Sequence, residues 1–428
     1  MIAVKKDEKE MLKKQDRALF KNEKQGKLSK TEKLKQSIKI RFALEQEPKV
    51  DMYYYRVYRK LRIVRYLCVL IAALFVMSVP MAYSDQITTE NFKYLVKYVK
   101  LQLSQDSDAY TELHYDASAH MRYGVYGEDI VLCTETALVY YDKLGNESMR
   151  VSYGPYNNPQ LLISDKYVMV YDRGGTEYML YNSFKRVMRD NTDYPITMCA
   201  LSDNGTYAVV TSNKNYISEI QVYNANSKRI GRVQRDLYLS ELFFLQDGSG
   251  FGYAGFTTDR DGAKHGEVCL YSMKSEKMLE VLGSQIPLAC TYNDGTLRVL
   301  YADRVVWYDQ EGSATEEYVY PGKVGAYGYS DGNLVLNLLP KTEKEKGNVQ
   351  IVTSPSHITT YVNNHIVSYI QWHDGNFYLL GNENVTKISY NGDVSTVAVN
   401  EGLRKLLFLP DGSYMGCYAD HTEIISFD

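Results

Sequence analysis

From residue 110 to the carboxyl terminus, apolar positions come in runs of about five to eight, rich in Tyr, Val and Ile and broken by Gly, Asn and Asp. No helical period runs through this stretch, so the runs read as strands. The same grammar recurs in "LSDNGTYAVVTS", "LQDGSGFGYAGF", "YNDGTLRVLYADRVVWYD", "YSDGNLVLNLL" and "LPDGSYMGCYADHTEIISFD". Each unit has an apolar strand, a turn such as "SDNG", "NDG" or "PDG", a second strand and a variable loop. A third strand, often a turn such as "YDKLG", "YDQEG" or "YNGD", and a fourth strand complete it. Asp-Gly and Asn-Gly supply the positive φ angles that close hairpins.

Unit starts fall near Met121, Asn157, Pro195, Tyr238, Pro287, Lys323, His365 and Leu403. The repeat is about 40 residues, the size of a four-stranded propeller blade. The pattern over 110–428 therefore predicts an all-β, eight-bladed β-propeller, or seven blades if one of the two degenerate opening units ("YGEDI", "ISDKY") is miscounted. The last unit stops after three strands, which would leave an open edge. The segment "YTELHYD", 110–116, lies before the first unit and is predicted to be the strand that closes the ring.

Upstream the pattern changes. Residues 66–83, "YLCVLIAALFVMSVPMAY", hold no charge. At about 1.5 Å per residue they reach roughly 27 Å as a helix, and with Ile63, Val64 and a snorkelling Arg65 they match a hydrocarbon layer of roughly 30 Å. One membrane-spanning helix over 63–83 is expected. The rival, a cleaved secretory leader ending at "AYS", would be over twice the usual length of about 15 to 30 residues. After the span, "TENFKYLVKYVKLQLS" places Phe92, Leu95, Val96, Val99 and Leu103 on one stripe, which predicts a juxtamembrane helix within a linker over 84–109.

Charge settles the orientation. Residues 1–65 hold 20 Lys and Arg against 9 Asp and Glu, leaving 29 against 43 for the rest. Arg56, Arg59, Lys60, Arg62 and Arg65 crowd one flank of the span, and the positive-inside bias keeps that side cytoplasmic. Residues 1–62 thus form a basic cytoplasmic tail, partly helical or disordered, and the propeller is extracytoplasmic. Ser29 and Glu32 make a capping box ahead of Leu34, Ile38 and Phe42, a stretch open to anionic inner-leaflet lipid. A tail serving topology alone fits as well, and nothing but charge argues for nucleic acid.

At "TTENFKYLVKYV", "MVYDRGGTEYMLYN" (169–182) and "LSDNGTYAVVTSNKNYISEIQVYN" (201–224), the chain resembles a family of single-pass, propeller-bearing proteins of Gram-positive bacteria, classed as a domain of unknown function. The resemblance covers the anchor to the carboxyl terminus. It implies a WD40-like propeller on the cell surface and supplies no activity. The WD dipeptide is absent, so kinship with WD40 proteins is architectural.

Tests for chemistry return little. "GFGYAG", 250–255, matches G-x-G-x-x-G, but "FTTDRDG" follows where dinucleotide binding needs a helix, so the glycines are expected inside a blade strand. "TTDRDGAKHGE" imitates half of a calcium loop and lacks its later ligands. Six cysteines show no zinc spacing, and those outside the span read as small buried hydrophobes. The seven histidines are scattered, no G-x-S-x-G elbow occurs, and neither Trp307 nor Trp372 completes a sialidase-type box. No catalytic residue, metal or cofactor is assigned.

The irregular insertions "RGGT" (173–176), "NKNYIS" (213–218), "TDRDGAKHG" (258–266) and "KTEKEKG" (341–347) all fall between second and third strands, so they share one face of the disc. Variable, charged loops on a rigid ring are where recognition resides. The expected function is a non-enzymatic binding or scaffolding module for an envelope protein or cell-wall polymer, through Arg173, Asp259, Arg260, His265, Lys341 and Lys344. A propeller-type glycan hydrolase or lyase with carboxylates in the central channel is the alternative. The ectodomain of a surface sensor is another.

Overall fold

A computed structural model describes residues 52–82 and 109–427, except 184–185, 331–332, 341–346, 364 and 390–391. The chain divides into two compact units, Met1–Asp85 and Gln86–Asp428.

In the first unit Met52–Ala82 is a helix of 31 residues, described at side-chain level over 57–74. The Arg62 guanidinium donates to Tyr58 Oη at 2.7 Å, one turn away. Leu61, Ile63, Leu67, Val69, Leu70, Ile71 and Leu74 are all exposed. Among the described residues no helix is long and apolar enough to cross a membrane. The expected span over 63–83 continues past the last helical side chain described. The capping box at Ser29 and the helix expected within 84–109 lie outside the described residues.

The second unit is built of eight antiparallel sheets in which sequence neighbours pair, seven of four strands and a last one of three. They span 122–152, 159–191, 196–235, 238–283, 289–319, 323–363, 367–398 and 405–425. This is an eight-bladed β-propeller, which removes the seven-bladed alternative. Each blade begins within two residues of its expected start, from Arg122 against Met121 to Lys405 against Leu403. The turn chemistry explains the agreement. Gly205, Gly248, Gly295, Gly375 and Gly412 take positive φ, as the Asp-Gly and Asn-Gly signals require, and so do Gly145 and Gly312 in the turns "YDKLG" and "YDQEG".

Burial follows strand position within the blade. Second strands such as Asp129–Cys133 and Tyr207–Thr211 are buried throughout because a neighbouring blade covers each of their faces. Outer strands such as Val394–Ala398 alternate exposed and half-buried residues. The core is accordingly distributed, one apolar cluster for each junction between blades, including that between blades 8 and 1, where Leu407 and Met415 meet Ile130 and Leu132.

Tyr110 and Leu113 belong to that last cluster. The segment 110–116 does not form the expected strand. It makes one isolated antiparallel bridge, His114 to His421, beside the final strand Thr422–Ile425. Further bonds run from Thr111 N to Lys143 O at 2.9 Å and from Tyr115 N to Asp420 O at 2.9 Å. One end of the segment thus holds blade 1 and the other holds blade 8.

The G-x-G-x-x-G match lies wholly within the strand Gly250–Thr258. A Cβ on Gly250 would strike the Tyr271 carbonyl oxygen, and one on Gly255 would lie 2.7 Å from that of Tyr238. Close backbone approach accounts for these glycines. Cys133, Cys199, Cys269, Cys290 and Cys417 are free and buried, as the spacing implied.

Candidate binding site on the insertion face

The insertions of blades 2, 3 and 4 occupy the same position, between second and third strands, and so open on the same face as the links between blades, while 341–346 of blade 6 lie outside the described residues. The first is a tight turn stapled to the next blade. Gly174 takes φ +91° and its N–H donates to Ile196 O at 2.7 Å, while Ile196 N donates to Gly175 O at 2.7 Å. Asp172, buried at the strand end, accepts from Asn158 N at 2.8 Å. Arg173 is therefore delivered to the edge of blade 3.

The second insertion is shaped by one amide. Asn213 Oδ1 accepts from Asn215 N and Tyr216 N, both at 2.8 Å, and Asn213 Nδ2 donates to Glu219 Oε2 at 2.6 Å. Glu219, 5% exposed, also accepts two bonds from Arg232, at 2.9 and 2.8 Å, and others from Gln234 and Gln221. Burial alone would raise this carboxyl. The donors outweigh it and hold the group below its ordinary value.

Between these loops lies a cavity of about 570 Å³, lined by Arg173, Thr197, 212–218, Asp236, Tyr238 and Leu239. A second cavity of about 350 Å³ shares Asn213 and Asn215 with it and is walled by Asp190, Asp193, Tyr194, Glu219 and Arg232. Among the described residues the side chains of Arg173, Lys214 and Asp236 have no hydrogen-bond or ion-pair partner, and Tyr238 is 59% exposed. Uncommitted charges of both signs and an accessible ring suit a polar ligand that carries its own donors and acceptors.

The sequence-predicted site residues do not form one constellation. Arg173 lines the larger cavity. Asp259 and His265 pair with each other at 2.7 Å across the blade 4 insertion, whose turn closes through Gly262 N to Asp259 O at 3.0 Å. His265 also borders a separate cavity of about 410 Å³ with Leu237, Glu267 and Leu282. Arg260 is exposed on the same turn. Lys341 and Lys344 lie outside the described residues. Sequence reasoning missed Lys214, Asp236 and Tyr238, which carry no motif and meet Arg173 only because blades 2, 3 and 4 are adjacent.

The central channel bears on the enzymatic alternative. The eight innermost strands carry one carboxylate, Glu241 of Tyr238–Phe244. It is largely buried, accepts from Cys290 N at 2.7 Å and from the Tyr329 hydroxyl, and burial pushes its carboxyl up. Backbone carbonyls just before the blade 5 channel strand are likewise met by side chains from the blades on either side. Ser240 Oγ donates to Pro287 O at 3.1 Å and Tyr327 Oη to Leu288 O at 3.2 Å. A possible ligand set for a metal, Glu267, Cys269 and Glu280, stands between blades 3 and 4 within 4.8 Å. Arg235 and Lys277 already pair its two carboxylates at 3.2 and 2.7 Å, and burial pushes the Cys269 thiol up to about 12. These groups make a closed ionic network, and no metal is assigned to them.

Fold and cavities together define a WD40-like eight-bladed propeller with a polar recess on its insertion face. By sequence, the chain belongs to a family of unknown function, DUF5711, which matches residues 103–427. No curated protein matches the sequence. Among solved structures the chain is similar to Sqt1 of Saccharomyces cerevisiae, at 9% identity and a TM-score of 0.54 over 75% of this chain and 99% of that one. It is similar also to BamB of Moraxella catarrhalis, at 9% identity and a TM-score of 0.50 over 74% and 98%. A eukaryotic initiation factor matches at 11% identity and a TM-score of 0.50 over 74% and 85%. At such identities the likeness carries the fold alone.

Proposed function

We propose that this protein is a membrane-anchored, extracytoplasmic propeller that acts as a non-enzymatic binding or scaffolding module for an envelope protein or cell-wall polymer. The observation that carries the reading is the recess of about 570 Å³, where Arg173, Lys214 and Asp236 stand without side-chain partners beside an exposed Tyr238. Polar groups prearranged on stapled loops lose little freedom on binding. Asp259, Arg260 and His265 extend the same face outward, and Lys341 and Lys344 are assigned to it by their place in the sequence between second and third strands. Anchoring rests on the uncharged run over 66–83 and the basic flank before it. Exposed apolar side chains along the helix, from Leu61 to Leu74, support it. In this reading 110–116 serves as the latch of the ring. Binding is favoured over glycan hydrolysis because two facing carboxylates would be needed, and the innermost strands offer Glu241 alone, already bonded to Cys290 and Tyr329.

The test is photo-cross-linking from position 173 or 214 in intact cells expressing the full chain. One discrete adduct is expected, lost in Arg173→Glu at equal expression. No adduct from a well-expressed protein, or an adduct indifferent to that substitution, removes the proposal.

A further inference from the structure

Lys405 opens the innermost strand of blade 8, Lys405–Phe408. Its Nζ crosses to blade 1 and donates to the carbonyl oxygen of Tyr123 at 2.9 Å. That bond ties two channel edges, a task for which charge is unnecessary. One blade earlier, Gln371 does the same with a neutral amide, donating to Leu406 O at 3.1 Å and accepting from Leu406 N at 3.1 Å. The positive charge at position 405 is therefore surplus to the structural work of the side chain.

It is also uncompensated. Among the described residues no carboxylate pairs with Lys405, whose side chain is half-buried against the channel wall. Burial lowers the affinity of this amine for its proton, and the nearby Arg122 guanidinium acts in the same direction. An ammonium carries three donors, and the carbonyl of Tyr123 takes one. Holding a half-buried cation with a single carbonyl acceptor is costly, and an anion placed against it offsets that cost.

The surrounding space can admit one. Lys405 lines a channel cavity of about 720 Å³ between the innermost strands of blades 7, 8, 1 and 2. The wall beside it is aromatic and apolar. Trp372 and His373 come from blade 7, and the His373 ring stacks on Phe408 with centroids 4.1 Å apart and planes 10° apart. Leu161 and Ile163 face them from blade 2. Asp165 and Asp203 stand in the turns at the cavity mouth, joined through Asp165 N to Asp203 Oδ1 at 3.4 Å, and neither is an ion-pair partner of Lys405.

We propose that this channel wall is a binding site for a small organic oxyanion, whose carboxylate or phosphate group is held by Lys405 and whose flat or apolar part lies along Trp372, His373 and Phe408. The site is separate from the insertion-face recess and does not depend on the role proposed there. Both oxyanions offer the acceptor oxygens the amine lacks.

The experiment titrates the purified full-length chain with benzoate and with phenyl phosphate, read by calorimetry. Saturable binding of at least one probe is expected, and the stronger of the two identifies the preferred anion. Lys405→Met should weaken it by about ten- to a hundred-fold, the worth of a charged hydrogen bond, while Lys405→Arg retains it. Binding of neither probe, or equal binding by Lys405→Met, overturns the proposal. Should Lys405→Met fail to fold, the wild-type chain and Lys405→Arg carry the test. Both are grown with lysine ¹³C-labelled at Cε, which leaves the charge and all three donors in place, and the Lys405 resonance is assigned by its absence from Lys405→Arg. That resonance should move along the titration, and one that stays fixed as probe binds elsewhere rejects the site.

Discussion

Leu113 and Thr422, 309 residues apart, exchange two hydrogen bonds. The N–H of Leu113 donates to Thr422 Oγ1 at 2.8 Å, and the N–H of Thr422 donates to Leu113 O at 2.9 Å. Thr422 is 1% exposed, so water cannot replace either partner. The hydroxyl supplies what a ladder bond would give if 110–116 were a regular strand.

Thr422→Val keeps the shape and removes that acceptor, leaving the N–H of Leu113 buried and unmet. A loss of about 1–3 kcal/mol in unfolding free energy is expected from denaturant titration. Thr422→Ser, which retains the hydroxyl, should recover most of it.

Gly255→Ala tests the close approach inside blade 4. The added methyl would meet the Tyr238 carbonyl at 2.7 Å and a Leu237 methyl group closer still. Backbone cannot yield as a long side chain does, so a cost of about 1–3 kcal/mol is expected in the same titration. The φ of this residue is ordinary and the whole effect is steric.

Glu241 and Glu219 should give opposite dependences on pH. The Glu241 carboxyl is raised by burial above its ordinary 4.5, so the folded chain holds this proton more tightly than the unfolded chain. Its contribution is therefore most favourable below about pH 4.5 and declines as the pH rises from there through the folded value. Glu241→Gln keeps an acceptor for Cys290 N and cannot ionise. Its stability relative to wild type should increase between pH 4.5 and 8, measured by urea unfolding, and a flat difference refutes the assignment.

For Glu219 the sign reverses. Its carboxyl is held below 4.5 in the fold, so its stabilisation is present above that value and is lost as the pH falls through the folded value. Arg232→Ala removes the paired guanidinium from a buried carboxylate and should cost about 1–3 kcal/mol at pH 7. The cost should shrink in acid. Because Asn213 shares Glu219, the same variant should also loosen the 213–218 loop, read as faster amide exchange at Asn215 and Tyr216.

The blade count, the blade starts and the shared face of the insertions were legible in the chain alone, since each depends on interactions local in sequence. An apolar run with a Gly at positive φ specifies a hairpin wherever it stands. The same locality placed "GFGYAG" in a strand and left the cysteines as buried apolar groups. The pairing of Asp259 with His265 is local too, yet its effect on the candidate site ran the other way, since two residues expected to meet a ligand meet each other.

Tertiary structure alone decided what crosses from blade to blade. Arg173, Lys214 and Asp236 share a recess because three blades sit side by side, and Lys405 reaches Tyr123 because the last blade lies against the first. That 110–116 meets the last blade was expected from the sequence, whereas its making the single bridge of His114 with His421 in place of a strand was not. Whether residues 110–116 make a full ladder or a single bridge depends on how eight twisted sheets share the angle of a closed ring. No periodicity in the chain encodes that angle.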